Sequence, residues 1–404
     1  MRILAISSWW PEPANNGSRM RIANLLRSLA QHHDIHLIAL TQEPITPEQI
    51  AAVRQYCASV EAIPQLTYMP RRSDLLASLI SPEPASVRQT YNPAVAQAVR
   101  WMARQIQPDA VLALQISTAP YATLVDAPRI LEELEVGLLL HQFRSQQHPI
   151  HRMRAWFTWR KHQSYVASIL RHFDAGTVAS AHELAAIKQI APAGMKLRII
   201  PNGADIAGCV DIQAPLEADT LIYPGALSFD ANLDAMAYFL TEIFPLIRAK
   251  HPATRLRITG KNTPEQRAAL PVAEGVEFTG YVADVRPLIA GSTLEVVPLR
   301  KGGGTRLKIL EALALGTPVV STSKGAEGLE LQPGQDLLIA DTPAAFADAT
   351  LQVLRNRQLR QQLGAAGRSA VQQHYDWRSI ATNLSELIIE TVATRRGGYV
   401  YSAA

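Results

Sequence analysis

Short apolar runs alternate with helical spacings along most of the chain. Arg2 to Ser7 reads as a first strand, the loop Pro11 to Ser18 follows, and Met20 to Ala30 sets Ile22, Leu25, Leu26 and Leu29 on one helical face. Asp34 to Leu40 is a compact Ile/Leu run of the kind found in parallel strands buried on both faces, so the chain opens on a βαβ unit. Ala110 to Leu114, Arg129 to Leu131 and Gly176 to Val178 predict further strand cores, separated by helical stretches such as Ala94 to Gln107. Leu197 to Ile200 closes the series at the turn Pro201, Asn202, Gly203, where Asn-Gly favours positive φ.

Asp205 to Asp219 lacks strong periodicity and ends in Pro215 and Leu216, which predicts a linker. A second series follows: strands at Thr220 to Tyr223, Arg255 to Thr259, Val276 to Phe278, Leu294 to Pro298 and Pro318 to Ser321. Helices are predicted over Asn232 to Lys250 and Thr305 to Leu315. The tail from Pro343 to Thr394 reads as several helices, broken near Gly364 and Gly367 and again around Tyr375, Asp376 and Trp377. Strands alternating with helices twice over predict an α/β protein of two Rossmann-like domains with parallel sheets. The expected division is 1–205, 206–375 and a helical tail, 376–404, that packs back on the first domain. Ligands of such sheets sit at the carboxyl ends of strands, which makes a central cleft between the domains the expected site.

Length and composition narrow the choice without deciding it. A chain of 404 residues is too long for one ordinary core, and 48% hydrophobic against 18% charged residues is a globular balance. A formal charge of +4 gives no reason to expect a nucleic-acid partner. Cys57 and Cys209 stand far apart without a CxxC or His cluster, so inert reduced thiols are expected rather than a metal or redox site. Met1 to Trp10 superficially resembles a signal peptide, yet it lacks a small-residue cleavage site and runs into Pro11, Glu12 and Pro13. A buried first strand fits it better. No apolar run is long enough to span a bilayer, so the expectation is a cytoplasmic protein, touching a membrane at most from its inner face.

The stretch from Pro298 to Val320 carries the chemistry. A strand empties into Gly302, Gly303 and Gly304, and a helix begins at once, so bare backbone N–H groups and a positive helix end favour an anion there. Arg306 and Lys308 add two cations at a position the helix dipole disfavours unless an anionic ligand offsets them. Glu311, further along the helix, can accept hydrogen bonds from sugar hydroxyls. A solvated helix with surface charges is the competing reading, since a glycine-rich turn alone is weak support.

The run from Gly304 to Val320, the turn Pro201, Asn202, Gly203 and the strands ending in Gly225 and Gly260 together resemble family 4 retaining glycosyltransferases of the GT-B fold. The resemblance covers nearly the whole chain, and the stretch around Glu311 is its specific part. It implies a nucleotide diphosphate sugar held mainly by the C-terminal domain, a glycan or lipid-linked acceptor held mainly by the N-terminal domain, and no metal or other cofactor. Cell-surface polysaccharide synthesis is the implied setting. By the same resemblance Glu311 holds the donor ribose, Gly303, Gly304 and Thr305 line the diphosphate, and Gly17 and Ser18 belong to a loop that approaches the donor phosphates. Gly17 lets the backbone come close and Ser18 is expected to cap the first helix.

The chain departs from the family pattern at two places. Gly303 stands where a second Glu usually contacts the transferred sugar. The usual Arg and Lys after Gly225 are missing too, since Ala226, Leu227, Ser228, Phe229, Asp230 and Ala231 follow. Arg306 and Lys308 are then the available substitutes for meeting the diphosphate charge, with Lys261 after Gly260 as a weaker candidate. For the front-face displacement the family implies, stabilising the leaving phosphate is the main catalytic contribution, which assigns Arg306 and Lys308 that role.

Leu134 occupies the place where an acceptor-side His is sought, so any acid or base role falls to Glu133 or Glu135; an ordinary acidic helix start is the competing reading. Arg19 and Arg21 either reach the cleft or coat the first helix. Residues 148–162 interleave His151, Arg152, Arg154, Arg160, Lys161 and His162 with Trp156, Phe157 and Trp159. That mixture suits peripheral contact with anionic lipid headgroups, and it equally suits aromatics packed inward beneath a charged face. Two rival functions remain: a GT-B sugar-nucleotide epimerase, for which no paired acid and base groups are seen, and a non-catalytic nucleotide-sugar-binding protein.

Overall fold

The computed structural model describes residues 1–14, 16–66, 83–134, 143, 146, 148–302, 306–395 and 397. The chain divides into two compact units: Met1–Pro201 together with the segment from Arg378 onward, and Asn202–Trp377.

The first unit is built on β1 (Arg2–Ser7), β2 (Asp34–Thr41), β3 (Ser59–Pro64), β4 (Ala110–Leu114), β5 (Arg129–Glu132), β6 (Ala175–Val178) and β7 (Lys196–Ile199). They form one parallel sheet in the order β3-β2-β1-β4-β5-β6-β7. Ile3, Leu4, Ala5 and Ile6 are fully buried, as a central parallel strand covered on both faces requires. Helices α1 (Gly17–Leu29), α2 (Pro93–Ile106) and α3 (Pro149–Leu170) belong to this unit. Because β1 pairs with β2 on one side and β4 on the other, the winding reverses there, and the carboxyl ends of β1 and β4 flank the crevice such sheets use for ligands.

The second unit repeats the plan with β8 (Glu217–Pro224), β9 (Arg255–Thr259), β10 (Val276–Gly280), β11 (Ser292–Val297), β12 (Val319–Ser321) and β13 (Leu338–Ile339), in the parallel order β10-β9-β8-β11-β12-β13. Its reversal lies between β8 and β11. Helices α4 (Asp230–Tyr238), α5 (Leu307–Ala314), α6 (Pro343–Arg355) and α7 (Arg357–His374) accompany it. A last helix, α8 (Trp377–Arg395), belongs to the first unit from Arg378 onward. Arg198 donates to both carboxylate oxygens of Glu390 (2.8 and 3.0 Å), His33 Nε2 lies 2.7 Å from Ser385 Oγ, and Arg395 donates to Asp126 (2.7 Å).

Several sequence expectations are corrected. The single helix expected over Asn232 to Lys250 is α4, a π-helical turn at Phe239–Ile243 and a second helix at Phe244–Lys250. Pro245, in the first turn of that second helix, brings no N–H to an α-helical ladder, and the wider turn accommodates it. Gly364 and Gly367 do not break α7; both are buried within it. In the expected linker, Asp205 caps a helical turn at Ile206–Cys209 by accepting from Gly208 N (2.9 Å), and β8 already begins at Glu217. Neither Asn202 nor Gly203 takes a positive φ. Cys57 and Cys209 are buried free thiols, one in each unit.

Candidate functional site

At the reversal of the second sheet, the turn after β8 and the start of α5 meet. Gly225 N donates to Thr259 O (3.1 Å) and Leu227 N to Lys261 O (3.1 Å), which ties the turns after β8 and β9 together. Gly260 makes this approach at φ +105°, where a Cβ would lie 2.7 Å from Ala226 N. Gly225 is small for a different reason: a Cβ there would lie 2.9 Å from both Lys308 Nζ and Asn232 Nδ2. Asn232, on α4, organises the neighbourhood. It accepts from Tyr223 Oη (2.7 Å) and Lys308 Nζ (3.4 Å) and donates to Ala226 O (2.9 Å). The ammonium of Lys308 also lies 3.8 Å from the centre of the Tyr223 ring, within cation–π range.

Arg306 occupies the N-cap position of α5, one residue before the first helical residue, so the helix starts two residues later than expected. Its guanidinium sits against the turn at Gly302 (φ +109°), where a Cβ would be 3.1 Å from Nη2. Gly303, Gly304 and Thr305 lie outside the described residues. Arg300 and Lys301 are engaged by α4: Arg300 Nη2 lies 3.0 Å from Asp234 Oδ1, and Lys301 Nζ lies 2.7 Å from Asp230 Oδ2. Lys261 is exposed, 5.6 Å from the Tyr281 ring centre.

Burial controls the charges on α5. Lys308 is lowered to about 7, chiefly by loss of water, with Glu295 opposing and Arg306 adding to the shift. Glu311 is raised to about 7, again chiefly by burial, with Arg286 opposing and Asp284 and Asp205 adding. Both residues keep part of their surface open to solvent. Arg286 donates to Asp284 (2.8 Å) and to Gly208 O (3.0 Å), so an Asp205–Arg286–Asp284 group borders the Glu311 end of the site. Sequence reasoning missed this group, together with Asn232, Tyr223 and Glu295.

In the first unit the candidates gather at the sheet reversal. Gly17 is the first residue of α1, and Asn16, not Ser18, caps it: Asn16 Oδ1 accepts from Arg19 N (2.9 Å). Ser18 is already helical, and its hydroxyl accepts from Gln115 Nε2 (3.3 Å). Arg21 neither coats the helix nor reaches outward. It is fully buried, ion-paired with Glu132, and donates to Ile200 O (2.8 Å) and Pro201 O (3.0 Å). Glu132 and Glu133 hold its guanidinium charged against the cost of burial.

Glu132 is therefore a strand end, not a helix start. Glu133 follows at φ 60°, accepting from Gln115 Nε2 (3.1 Å), while Gln115 itself adopts φ 78°, ψ 155°, a region L-residues seldom enter. Ser8 Oγ donates to Gln115 Oε1, which completes a polar cluster formed by the residues just after β1, β4 and β5 and the start of α1. Glu135 lies outside the described residues.

On α3, Trp159 is buried, but Ile150, Met153, Trp156 and Phe157 are exposed beside exposed Arg152, Arg154 and Arg160. The aromatics of residues 148–162 are thus not all packed inward. Among the described residues no helix is long and apolar enough to cross a membrane, and no group of three or more His, Cys, Asp or Glu could hold a metal.

Residues 218–356 match the family model "Glycosyl transferases group 1". A phosphatidyl-myo-inositol mannosyltransferase of Mycobacterium leprae (strain TN) is 31% identical over 205 residues, 48% of this chain and 54% of the relative. The chain spans about half the length of the curated relatives it matches. Sucrose-phosphate synthase (tll1590) from Thermosynechococcus elongatus superposes with a TM-score of 0.67 at 19% identity, covering 98% of this chain and 100% of that one. Anabaena Alr3699/HepE, crystallised with UDP and glucose, gives 0.65 at 13% identity, covering 96% and 99%. The fold is that of the GT-B glycosyltransferases, two Rossmann-like domains with parallel sheets.

Proposed function

We propose that the protein is a retaining glycosyltransferase that moves a sugar from a nucleotide diphosphate sugar to a glycan or lipid-linked acceptor, in the synthesis of a cell-surface polysaccharide. The observation that carries this is the approach of Lys308 to Gly225 at the sheet reversal of the second unit, with Arg306 at the N-cap and Glu311 further along the same helix, inside the segment matched by the group 1 model. The 31% identical mannosyltransferase and the likeness to a protein crystallised with UDP and glucose support the same reading.

The chemistry follows from charge. In a front-face displacement the acceptor hydroxyl adds to the anomeric carbon on the side from which the diphosphate leaves. The carbon–oxygen bond to phosphate breaks as the new glycosidic bond forms, and the hydroxyl proton passes to a leaving phosphate oxygen. Negative charge accumulates on the diphosphate, so cations fixed beside it lower the barrier most. Arg306 and Lys308 take that role without a metal, Gly225 and Gly302 leave room for the phosphates, and Glu311 accepts from the ribose hydroxyls. In the first unit, Glu133 follows the carboxyl end of β5 and is assigned to the acceptor side. The exposed face of α3 is assigned to an anionic lipid surface, which vesicle sedimentation tests.

Thermal unfolding with UDP, GDP, ADP and TDP tests the donor site. One nucleotide at a hundred times its dissociation constant adds about 2.7 kcal/mol of stability. Arg306→Ala and Glu311→Ala each abolish that shift and leave the apoprotein folded; an undiminished shift in both variants moves the site elsewhere.

A further inference from the structure

Glu295 is the anomaly of the second sheet. It stands in the middle of β11, whose six residues are all buried, and is paired in register with Ile222 on one side and Val319 on the other. Its side chain is fully buried, and neither carboxylate oxygen has a hydrogen-bond partner among the described residues. The nearby donors are committed elsewhere: Tyr223 Oη and Lys308 Nζ both point to Asn232 Oδ1. A carboxyl enclosed among apolar strands without a hydrogen bond is costly and adds nothing to packing that a Leu or Met would not. Its justification is then electrostatic.

We propose that Glu295 is a positioning residue of the donor site, the internal counter-group that keeps the Lys308 amine able to hold a proton where α5 and Arg306 both oppose one. The groups acting on Lys308 come from every element around it. Arg306 and the positive end of α5 disfavour an ammonium there, and Asn232 and the Tyr223 ring favour it without carrying charge. Glu295 is the acidic group that acts on Lys308 in opposition to burial. Glu311, three residues further along α5, acts on Glu295, and Asp230 and Asp234 are taken up by Lys301 and Arg300. Burial in turn holds the Glu295 carboxyl well above the usual carboxylate range, with Lys308 opposing, so the two groups titrate as a pair. The consequence for the proposed donor, which rests on the reading above, is that without Glu295 the lysine reaches neutral pH as a neutral amine and offers the diphosphate no charge.

Competitive acetylation of the full chain with acetic anhydride between pH 5.5 and 10, followed by mass spectrometry of the Lys308 peptide, reads the amine directly and needs no ligand. In the wild type the labelling midpoint falls near neutral pH. In Glu295→Gln it moves down by about one pH unit, a tenfold loss of proton affinity. Glu295→Asp recovers most of the change, and Glu295→Met repeats the measurement should the amide variant not fold. A midpoint in Glu295→Gln that coincides with the wild type or moves upward overturns the proposal, as does a wild-type midpoint in the ordinary lysine range. With a sugar nucleotide that stabilises the wild type, the variant binds about tenfold more weakly than the wild type at pH 8 and within about twofold of it at pH 6. Should no sugar nucleotide stabilise the wild type, the donor reading fails while the labelling still decides the role of Glu295.

Discussion

Lys308 and Glu311 lie three residues apart on α5, and burial drives their titrations toward each other, the amine down to about 7 and the carboxyl up to about 7. The signs are opposite in effect. Lys308 carries its charge below that value and Glu311 above it, so a donor that needs an ammonium for its diphosphate and a carboxylate for its ribose binds best near pH 7. Affinity for a sugar nucleotide therefore falls on both sides, approaching about tenfold per pH unit. A sugar nucleotide is the right probe, because its phosphates do not titrate in this range. Calorimetric titrations from pH 5.5 to 9 check this; an affinity flat across that range removes one or both residues from the site. The glycines and the two cations were legible in the sequence, because a strand that empties into glycine and then helix has few readings. Asn232, Glu295 and the Arg21–Glu132 pair were not: Lys308 meets Asn232 across 76 residues and Arg21 meets Glu132 across 111, and no local pattern records such partners.

At the scale of elements, α5 is held in place by α7, and glycine makes the fit. A Cβ on Gly364 would overlap Gly316 O, just beyond α5, and one on Gly367 would lie 2.7 Å from Asp336 O. The sequence reading treated both as helix breaks, since glycine in a helical pattern is usually a weakness; here backbone contact requires it. Gly364→Ala sets two effects against each other. Helix propensity favours alanine by about 1 kcal/mol, whereas overpacking against a backbone oxygen costs about 1–3 kcal/mol. A backbone oxygen cannot move aside as a side chain can, so the overlap falls at the upper end of that range, giving a net loss of about 1–2 kcal/mol in urea unfolding and weaker nucleotide binding through displacement of α5. An unchanged or higher midpoint contradicts the close contact. Strands buried on both faces were read correctly from their Ile, Leu and Val runs. The edge strand β3 was missed because Ser59–Pro64 is only partly buried and so carries no such run, and β13 because it has two residues.

At the scale of the whole molecule, α3 bears on where the proposed acceptor is met. Its 22 residues bury Trp159, Tyr165, Val166 and Leu170, while its amino-terminal half leaves Ile150 (59%), Met153 (54%), Trp156 (41%) and Phe157 (58%) exposed. Arginines 152, 154 and 160 are exposed with them. Apolar side chains left in water beside cations and without acidic neighbours on the same stretch match an anionic bilayer surface better than a water-facing helix. Near such a surface each arginine contributes about 1 kcal/mol, so three give roughly a hundredfold preference for anionic over zwitterionic vesicles. Sedimentation with phosphatidylglycerol and with phosphatidylcholine vesicles measures that ratio. Replacing Arg152, Arg154 and Arg160 with Gln reduces it toward unity, while Trp156→Ala with Phe157→Ala weakens binding to both lipids and preserves the ratio. Equal binding of the wild type to both vesicles, or none to either, would leave the exposed aromatics to a protein partner and make a soluble glycan the better acceptor.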